Sequence, residues 1–342
     1  MNSTPAPARS NPRALIVIVL GIPVVIALML LAFAAPALHS GAKDLPLAVS
    51  GPAQVAAQLS STLQARSPGT FDITTYPSAD AAAQAIRNRE AVGGLAAGPQ
   101  GLTIQTAAGA GAPYSALLRG MGAQLSAGGQ HVTYEELAPL PAADPAGSAL
   151  TTLGLPLIFG GMASAAALVL AYRGSRPARV GTVLAVSVVA GFAATAILQF
   201  GFGALEGDYL LTSTAVAAGI AAVSATVLGL GSLLGVAGIG LGAVLMLFVA
   251  NPLSGLATGA AWLPQPWGLL GQYLPIGAAG TAMRSAAYFA GAGATSAWIV
   301  LAAWILGGLL LTLVAPRRDA GASVRPHNGA TATSERPAPA HA

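Results

Sequence analysis

The sequence contains no cysteine and few charged residues, and both scarcities restrict what the protein can be. Its 342 residues include 15 basic and 11 acidic side chains, whereas 54% of the residues are hydrophobic. Soluble domains normally carry about 25% charged residues, so this chain cannot cover a water-facing surface of ordinary polarity. Without cysteine there are no disulfides, thiolate nucleophiles or thiolate metal sites. The composition therefore predicts an integral membrane protein whose main partner is the lipid bilayer.

Residues for catalysis and for nucleic-acid binding are also scarce. The only lysine is Lys43, and no Gly-x-x-x-x-Gly-Lys-Ser/Thr motif is present, so the chain has no P-loop with which to hydrolyse ATP. The four histidines, His39, His131, His327 and His341, lack metal-ligand spacing. The basic residues form no stripe interleaved with aromatics, which argues against nucleic-acid binding. We therefore expect no catalytic residue, no metal, no cofactor and no enzymatic activity of the chain's own.

Long uncharged segments predict six membrane-spanning helices. About 20 apolar residues cross the roughly 30 Å hydrocarbon core, and the predicted spans are residues 14–38, 150–172, 180–200, 210–229, 234–250 and 295–314. The uncharged run 210–250 is too long for one crossing, so we expect a turn within the glycine-rich stretch 229–235. The first span could instead be a secretory signal peptide. Its uncharged run is longer than the usual apolar core of about 7–15 residues, which favours an uncleaved anchor.

The distribution of arginine predicts how these spans are oriented. One side carries nine basic and two acidic residues, and the other carries six basic and nine acidic residues. Cytoplasmic loops are enriched in Lys and Arg, so the first side, which includes both chain ends, is predicted to be cytoplasmic. Its basic residues are Arg9, Arg13, Arg173, Arg176, Arg179, Arg317, Arg318, Arg325 and Arg336.

Residues 39–149 are the only long segment of soluble character, and they are predicted to form a small extracytoplasmic α/β domain. Alternating patterns predict strands at 45–49, 71–76, 93–97, 102–106 and 131–137, with helices at 53–66, 79–90 and 113–125. The terminal segments 1–13 and 315–342 are rich in Pro, Ala, Ser and Thr, and we predict them to be disordered cytoplasmic tails.

The predicted spans contain no ionisable residue between their ends. Proton- and sodium-coupled carriers usually place such groups inside the membrane, so ion coupling is disfavoured, although a backbone-carbonyl sodium site stays open. Ser164 and Ser224 lie within spans, where we expect them to allow close helix packing.

Residues 251–294 are too apolar for an ordinary loop but too rich in proline for a clean span. Pro252, Pro264, Pro266 and Pro275 interrupt the segment. Short apolar pieces of this kind are typical of a re-entrant segment. The alternative is an outer loop that lies on the bilayer, with Trp262, Trp267, Tyr273 and Tyr288 at headgroup level.

Three motifs in this segment resemble a known family. They are a P-x-S-G element (Pro252, Ser254, Gly255), two L-P pairs (Leu263–Pro264 and Leu274–Pro275) and an A-M-R-x-x-x-Y-F element (Ala282, Met283, Arg284, Tyr288, Phe289). With the order of one span, an outer domain and five further spans, the chain resembles the permease subunits of ABC type-2 exporters. It resembles in particular the broad bacterial group that includes the phage-infection-protein-like membrane proteins.

The resemblance implies a protein of the bacterial plasma membrane that exports a hydrophobic or amphipathic substrate. Its implied partners are a separate ATP-binding subunit and a second copy of the chain. The arginines of loop 172–179, Arg173, Arg176 and Arg179, either dock that ATPase or serve only to fix topology. Compared with the family pattern, this loop and the amino-terminal tail are short. The alternative function is a non-transporting accessory or binding protein of the cell envelope that acts through residues 39–149.

Overall fold

A computed structural model of the chain describes residues 12–316, in which an α/β domain lies between a first helix and a helical bundle. The helices are α1 (Pro12–Leu38), α2 (Ala53–Arg66), α3 (Ala79–Arg87), α4 (Ala112–Ala127), α5 (Ser148–Leu170), α6 (Arg176–Ala196), α7 (Tyr209–Leu234), α8 (Val236–Val244), α9 (Trp267–Gln272), α10 (Pro275–Tyr288) and α11 (Thr295–Val314). The strands are β1 (Leu45–Ser50), β2 (Phe71–Tyr76), β3 (Gly93–Gly98), β4 (Gly101–Thr106) and β5 (Val132–Glu136). The predicted tails lie almost wholly outside the described residues, as do Arg9, Arg317, Arg318, Arg325 and Arg336.

Within residues 12–316, five helices are long and apolar enough to cross a membrane. They are Leu15–Leu38, Ser148–Leu170, Arg176–Gly201, Tyr209–Leu234 and Thr295–Val314. The predicted span 234–250 is a shorter apolar helix, Val236–Ala250. At 1.5 Å per residue it measures about 22 Å, less than the hydrocarbon thickness. Five of the six predicted spans are therefore long apolar helices, and the remaining one, 234–250, is a shorter apolar helix.

The helix break within the run 210–250 lies at the last residue of the glycine-rich stretch 229–235, in which we expected a turn. Helix α7 continues to Leu234, beyond the predicted end at residue 229, and the break is at Gly235, whose φ is +67°. Gly229 remains helical because α11 packs against it closely: a Cβ at this position would lie 2.6 Å from the Gly308 carbonyl oxygen. At Gly235 the left-handed backbone itself requires glycine.

Helix α7 is the central helix of the bundle and is mostly buried among α5, α6, α10 and α11. Small residues let its neighbours approach, since the Ser164 and Ser224 hydroxyls of α5 and α7 lie 3.3 Å apart. Gly191 of α6 faces Ala217, where a Cβ would lie 2.7 Å from the Ala217 Cα. Close packing of small residues is a common way for apolar helices to associate in a bilayer.

The α/β domain is a five-stranded sheet in the order β2-β1-β3-β4-β5. Strand β1 is parallel to β2 and β3, β3 and β4 are antiparallel, and β4 and β5 are parallel. Successive side chains of a strand point to opposite faces. Accordingly, Leu47 packs with residues of α2 and α4 on one face, and Ala48 packs with Ala82 and Ile86 of α3 on the other. Each strand begins and ends within two residues of its predicted limits.

Residues 251–294, which we name the hairpin segment, connect the α/β domain to the bundle. Trp262 joins the apolar cluster on the α2/α4 face of the sheet, and Phe289 joins the cluster on the α3 face. Helix α10 packs along α7, where a Cβ on Gly219 would lie 2.8 Å from the Ala279 Cβ. Trp262 therefore contacts the α/β domain.

Candidate functional site

The P-x-S-G element forms a tight turn after the short helix of the bundle. Ser254 donates its hydroxyl to the Asn251 carbonyl oxygen at 2.7 Å and accepts from the Leu256 N–H at 3.2 Å. Gly255 has a φ of +64°, and a Cβ there would lie 2.8 Å from the Ala260 backbone nitrogen. The motif thus fixes the backbone: the hydroxyl satisfies turn groups outside the helix, and glycine adopts the left-handed conformation.

The two L-P pairs mark where the hairpin segment changes direction. Leu263 is extended, as the residue before a proline usually is. Pro275 occupies the first turn of α10, where its missing N–H removes no helical hydrogen bond, and Leu274 is the N-cap. The first pair therefore follows the 3-10 turn Ala260–Trp262, the second begins α10, and neither contributes a polar side chain.

Arg284 of α10 is the charged residue of the third motif, and it is 7% exposed. Its guanidinium donates to the Leu256 carbonyl oxygen at 2.7 Å and to the Gly109 carbonyl oxygen at 3.3 Å. Because Gly109 belongs to the α/β domain and Leu256 to the hairpin segment, one side chain connects both parts to α10.

Tyr288 and Phe289, at the end of α10, pack beneath the sheet rather than facing lipid. A Cβ on Gly109 would lie 2.6 Å from the Tyr288 Cβ, and Phe289 is buried against the α3 face. These two residues and Arg284 carry the docking of α10 on the α/β domain.

Two residues of this junction, Arg89 and Tyr114, were not singled out from the sequence. Arg89 follows α3 with a φ of +64°, and it donates to the Thr281 carbonyl oxygen at 3.0 Å. Its guanidinium lies 5.5 Å from the centre of the Phe289 ring, a cation–π contact. The positive φ is uncommon for arginine, but the chain around residue 89 gives no local signal of this.

Arg89, Tyr114 and Arg284 line one cavity of about 180 Å³. Burial, with a further contribution from the charge of Arg284, lowers the pKa of Arg89 to about 10. Burial also raises the pKa of Tyr114 to about 12, so its hydroxyl stays protonated. We name this cavity the arginine cavity. It offers fixed N–H donors and positive charge between the α/β domain and α10.

A second cavity of about 610 Å³ is a groove on the side of the bundle, between α7, α11 and the short apolar helix Val236–Ala250. Its lining is almost wholly apolar: Thr226, Leu230, Leu241, Leu245, Ala303, Trp304, Gly307, Gly308, Leu310 and Leu311. The Thr226 hydroxyl donates within its own helix, to the Ala222 carbonyl oxygen at 2.7 Å. Gly307 is exposed and has no atom near its absent Cβ. This apolar groove is of the size and chemistry that accept a hydrocarbon chain.

The predicted docking arginines have three different environments. Arg176 donates to the Leu313 carbonyl oxygen at 2.8 Å and to that of Ala315, and so closes the end of α11. Arg179 donates to the Tyr172 carbonyl oxygen at 2.7 Å. Arg173 is exposed and makes no side-chain hydrogen bond within the part of the chain that the structure describes. Of the three, only Arg173 presents its whole guanidinium to a partner.

No family model, curated protein or solved structure matches the chain.

Proposed function

We propose that the protein is the permease-like membrane subunit of an ABC type-2 exporter. In this proposal it moves a hydrophobic or amphipathic substrate out of a bacterial cell, and a separate subunit hydrolyses ATP. The observation that supports the proposal is the apolar groove, which lies between the long apolar helices α7 and α11 and the short apolar helix Val236–Ala250 and is open beside Gly307. Apolar substrates partition into the bilayer, so a groove reached from the lipid side suits them.

The proposed topology has six crossings, with Val236–Ala250 as a short fifth span and the hairpin segment re-entering from outside. Trp304 donates its indole N–H to the Tyr273 carbonyl oxygen at 2.8 Å. Trp304 lies nine residues into α11, about 14 Å from its start at 1.5 Å per residue. With α11 starting at the outer membrane surface, as the proposed topology has it, this contact lies about halfway into the roughly 30 Å hydrocarbon thickness. This depth favours re-entry over a loop on the bilayer surface.

The proposed location is the bacterial plasma membrane, with both chain ends in the cytoplasm and the α/β domain outside. Arg173 and Arg176 lie at the opposite end of the bundle from the α/β domain, as the arginine bias requires. A second copy of the chain and the ATPase are the proposed protein partners.

The groove can be tested by filling it. In Gly307→Leu the added side chain occupies the groove, whereas Gly160→Leu adds the same side chain to an equally open position on α5. Binding of a fluorescent fatty acid to the purified full chain in detergent should weaken at least tenfold in Gly307→Leu and stay unchanged in Gly160→Leu. Equal fatty-acid binding by both variants would mean that the groove is not the binding site for apolar molecules.

The coupling is tested by affinity purification from membranes of the native bacterium. ATP hydrolysis in the eluate, sensitive to vanadate and absent from a mock purification, supports an ATPase partner. Loss of export of the fluorescent probe in Gly307→Leu, with co-purification retained, would connect the groove to transport.

A specific observation favours the alternative of a non-transporting envelope protein. Arg176 and Arg179 bind carbonyl oxygens of their own chain, which leaves little of loop 172–179 for an ATPase. The α/β domain also has a surface cavity of about 440 Å³ between α2, β4 and His131. An eluate without ATP hydrolysis, together with a phenotype that depends on residues 39–149, would support this second function.

A further inference from the structure

The arginine cavity contains two guanidinium groups without an anionic partner. Within residues 12–316 the one salt bridge joins Arg119 to Glu136, at 3.3 Å. Arg89 and Arg284 therefore pair with no carboxylate in this part of the chain. Glu90 follows Arg89 directly, but it is exposed and accepts a hydrogen bond from Asn88 instead.

The partners of both guanidiniums are neutral carbonyl oxygens, and they occupy a minority of the donors. Each guanidinium has five N–H groups in a planar fork, and the carbonyls of Gly109, Leu256 and Thr281 each take one bond. Carbonyl oxygens satisfy N–H groups, but they do not neutralise a net charge. Buried charges in proteins are normally paired, so this arrangement lacks an anion.

The two positive charges also act on each other. Arg89 binds the carbonyl of Thr281, which lies one helical turn before Arg284 on α10. The charge of Arg284 contributes to the lowered pKa of Arg89. An anion in the cavity would relieve this repulsion, because it would attract both guanidiniums at once.

The dimensions of the cavity limit what the anion can be. The cavity volume of about 180 Å³ is smaller than the roughly 300–1,000 Å³ of typical sites for drug-sized molecules. It therefore admits a single oxyanion group with some water, but not a nucleotide or a drug-sized molecule. As a whole residue Arg89 is half-buried, whereas Arg284 is buried.

We propose that the arginine cavity binds a phosphate-type oxyanion, held by Arg89 and Arg284 between the α/β domain and α10. Guanidinium forks match the geometry of phosphate oxygens and bind them bidentately. The bound group is either a free ion or the headgroup of an amphipath whose remainder lies outside the cavity. The proposal stands whether or not the chain transports a substrate.

Binding is measured by isothermal titration of the purified full chain in detergent at constant ionic strength. The two probes are inorganic phosphate and dioctanoyl phosphatidate. Arg89→Gln removes one guanidinium at the half-buried position. Arg87→Gln is the matched control, because Arg87 lies on the same helix but is exposed and does not line the cavity.

We expect saturable binding of at least one probe, weakened about ten- to a hundredfold by Arg89→Gln, since a hydrogen bond to a charged group contributes about 1.5–3 kcal/mol. Arg87→Gln should bind like the wild type. Tighter binding of phosphatidate than of phosphate would identify a headgroup site, and equal binding a free-ion site; both outcomes support the proposal.

Arg284→Gln is the second variant, but it also removes the hydrogen bonds to Gly109 and Leu256. Its melting temperature in the absence of phosphate is therefore recorded first, and its affinity is compared only at temperatures where it is folded. If neither probe binds saturably to the wild type, or if Arg89→Gln binds as tightly as Arg87→Gln, the proposal is wrong and the two arginines only hold the junction together.

Discussion

Gly109 of the α/β domain lies against Tyr288 of α10, so close that a Cβ on residue 109 would come within 2.6 Å of the Tyr288 Cβ. The carbonyl oxygen of the same glycine accepts a hydrogen bond from Arg284. One residue without a side chain therefore makes both a packing contact and a polar contact across the junction.

Gly109→Ala should loosen this junction. Overpacking a well-packed site usually costs about 1–3 kcal/mol, so the variant should melt several degrees below the wild type in detergent. Gly120→Ala is the control, because Gly120 lies in α4 with open space beside it and alanine is the better helix former. A Gly109→Ala protein that melts with the wild type would contradict the close contact.

Two adjacent glycines of α11 should respond in opposite ways to alanine. A Cβ on Gly308 would meet the Ala225 carbonyl group of α7, whereas a Cβ on Gly307 would meet nothing within 4 Å. We expect Gly308→Ala to lower the melting temperature and Gly307→Ala to leave it unchanged or raise it slightly. Equal effects of the two substitutions would contradict the close contact between Gly308 of α11 and Ala225 of α7.

Arg176 should contribute to stability and Arg173 should not. Arg176→Gln loses charge-assisted bonds to the end of α11, and a typical intramolecular hydrogen bond contributes about 0.5–1.5 kcal/mol. Arg173→Gln removes only an exposed side chain. Thermal unfolding of the two variants, compared at equal expression, checks this difference.

The docking hypothesis now depends mainly on Arg173. Arg173→Glu should reduce co-purification of ATP hydrolysis while the melting temperature stays that of the wild type. Unchanged co-purification would restrict these arginines to the positive-inside effect.

Asp144 should make the folding stability of the protein depend on pH under acidic conditions. Burial disfavours its charged form, but hydrogen bonds from the Ala149 N–H, the Ser148 hydroxyl and the backbone N–H groups of Ser148 and Gly147 outweigh it and lower its pKa below 3.8. Since the folded pKa is below the unfolded one, the stabilisation is complete above the unfolded pKa and is lost as pH falls through the folded pKa.

The corresponding experiment compares wild type and Asp144→Asn across pH 2–7 by thermal unfolding. The wild type should be more stable at neutral pH, and its advantage should shrink below pH about 3.8. Asp72→Asn, at an exposed carboxylate of β2, is the control and should leave the profile unchanged. An advantage that does not shrink at all below the unfolded pKa would mean that the carboxylate charge is not what stabilises the start of α5.

The proposed topology predicts which cysteines an impermeant thiol reagent reaches in intact cells. Ala127→Cys, at the exposed end of α4, should react, whereas Ala171→Cys, at the opposite end of the bundle, should react only after lysis. Both positions are exposed and the chain has no other cysteine, so labelling reports sidedness. Labelling of Ala171→Cys from outside would reverse the assignment.

Sequence patterns located most of the secondary structure because each pattern is local. The alternation in Phe71–Tyr76 predicted β2, and the length of the uncharged runs predicted α5, α6 and α11. The end of α7 was predicted too early, at residue 229, because several glycines share this stretch. Only packing against α11 separates Gly229, which stays helical, from Gly235, where the helix breaks.

The motif of the hairpin segment was visible, but the role of its arginine was not. Arg284 could be identified from A-M-R-x-x-x-Y-F, whereas Arg89 lies in a different domain and meets α10 through Thr281, 192 residues away in sequence. Similarly, tryptophan is a residue type that is common at lipid headgroups. Trp262 nevertheless packs edge-on against Tyr114, with ring centres 5.7 Å apart.

The sequence by itself determined that this chain has long apolar helices, a small α/β domain and too few charges for a soluble surface, since hydrophobicity and periodicity act over neighbouring residues. The tertiary structure alone decided that the hairpin segment joins both faces of the sheet and that Arg89 and Arg284 share a cavity. Such contacts depend on how elements that are far apart in sequence pack together, and local sequence patterns do not report that packing.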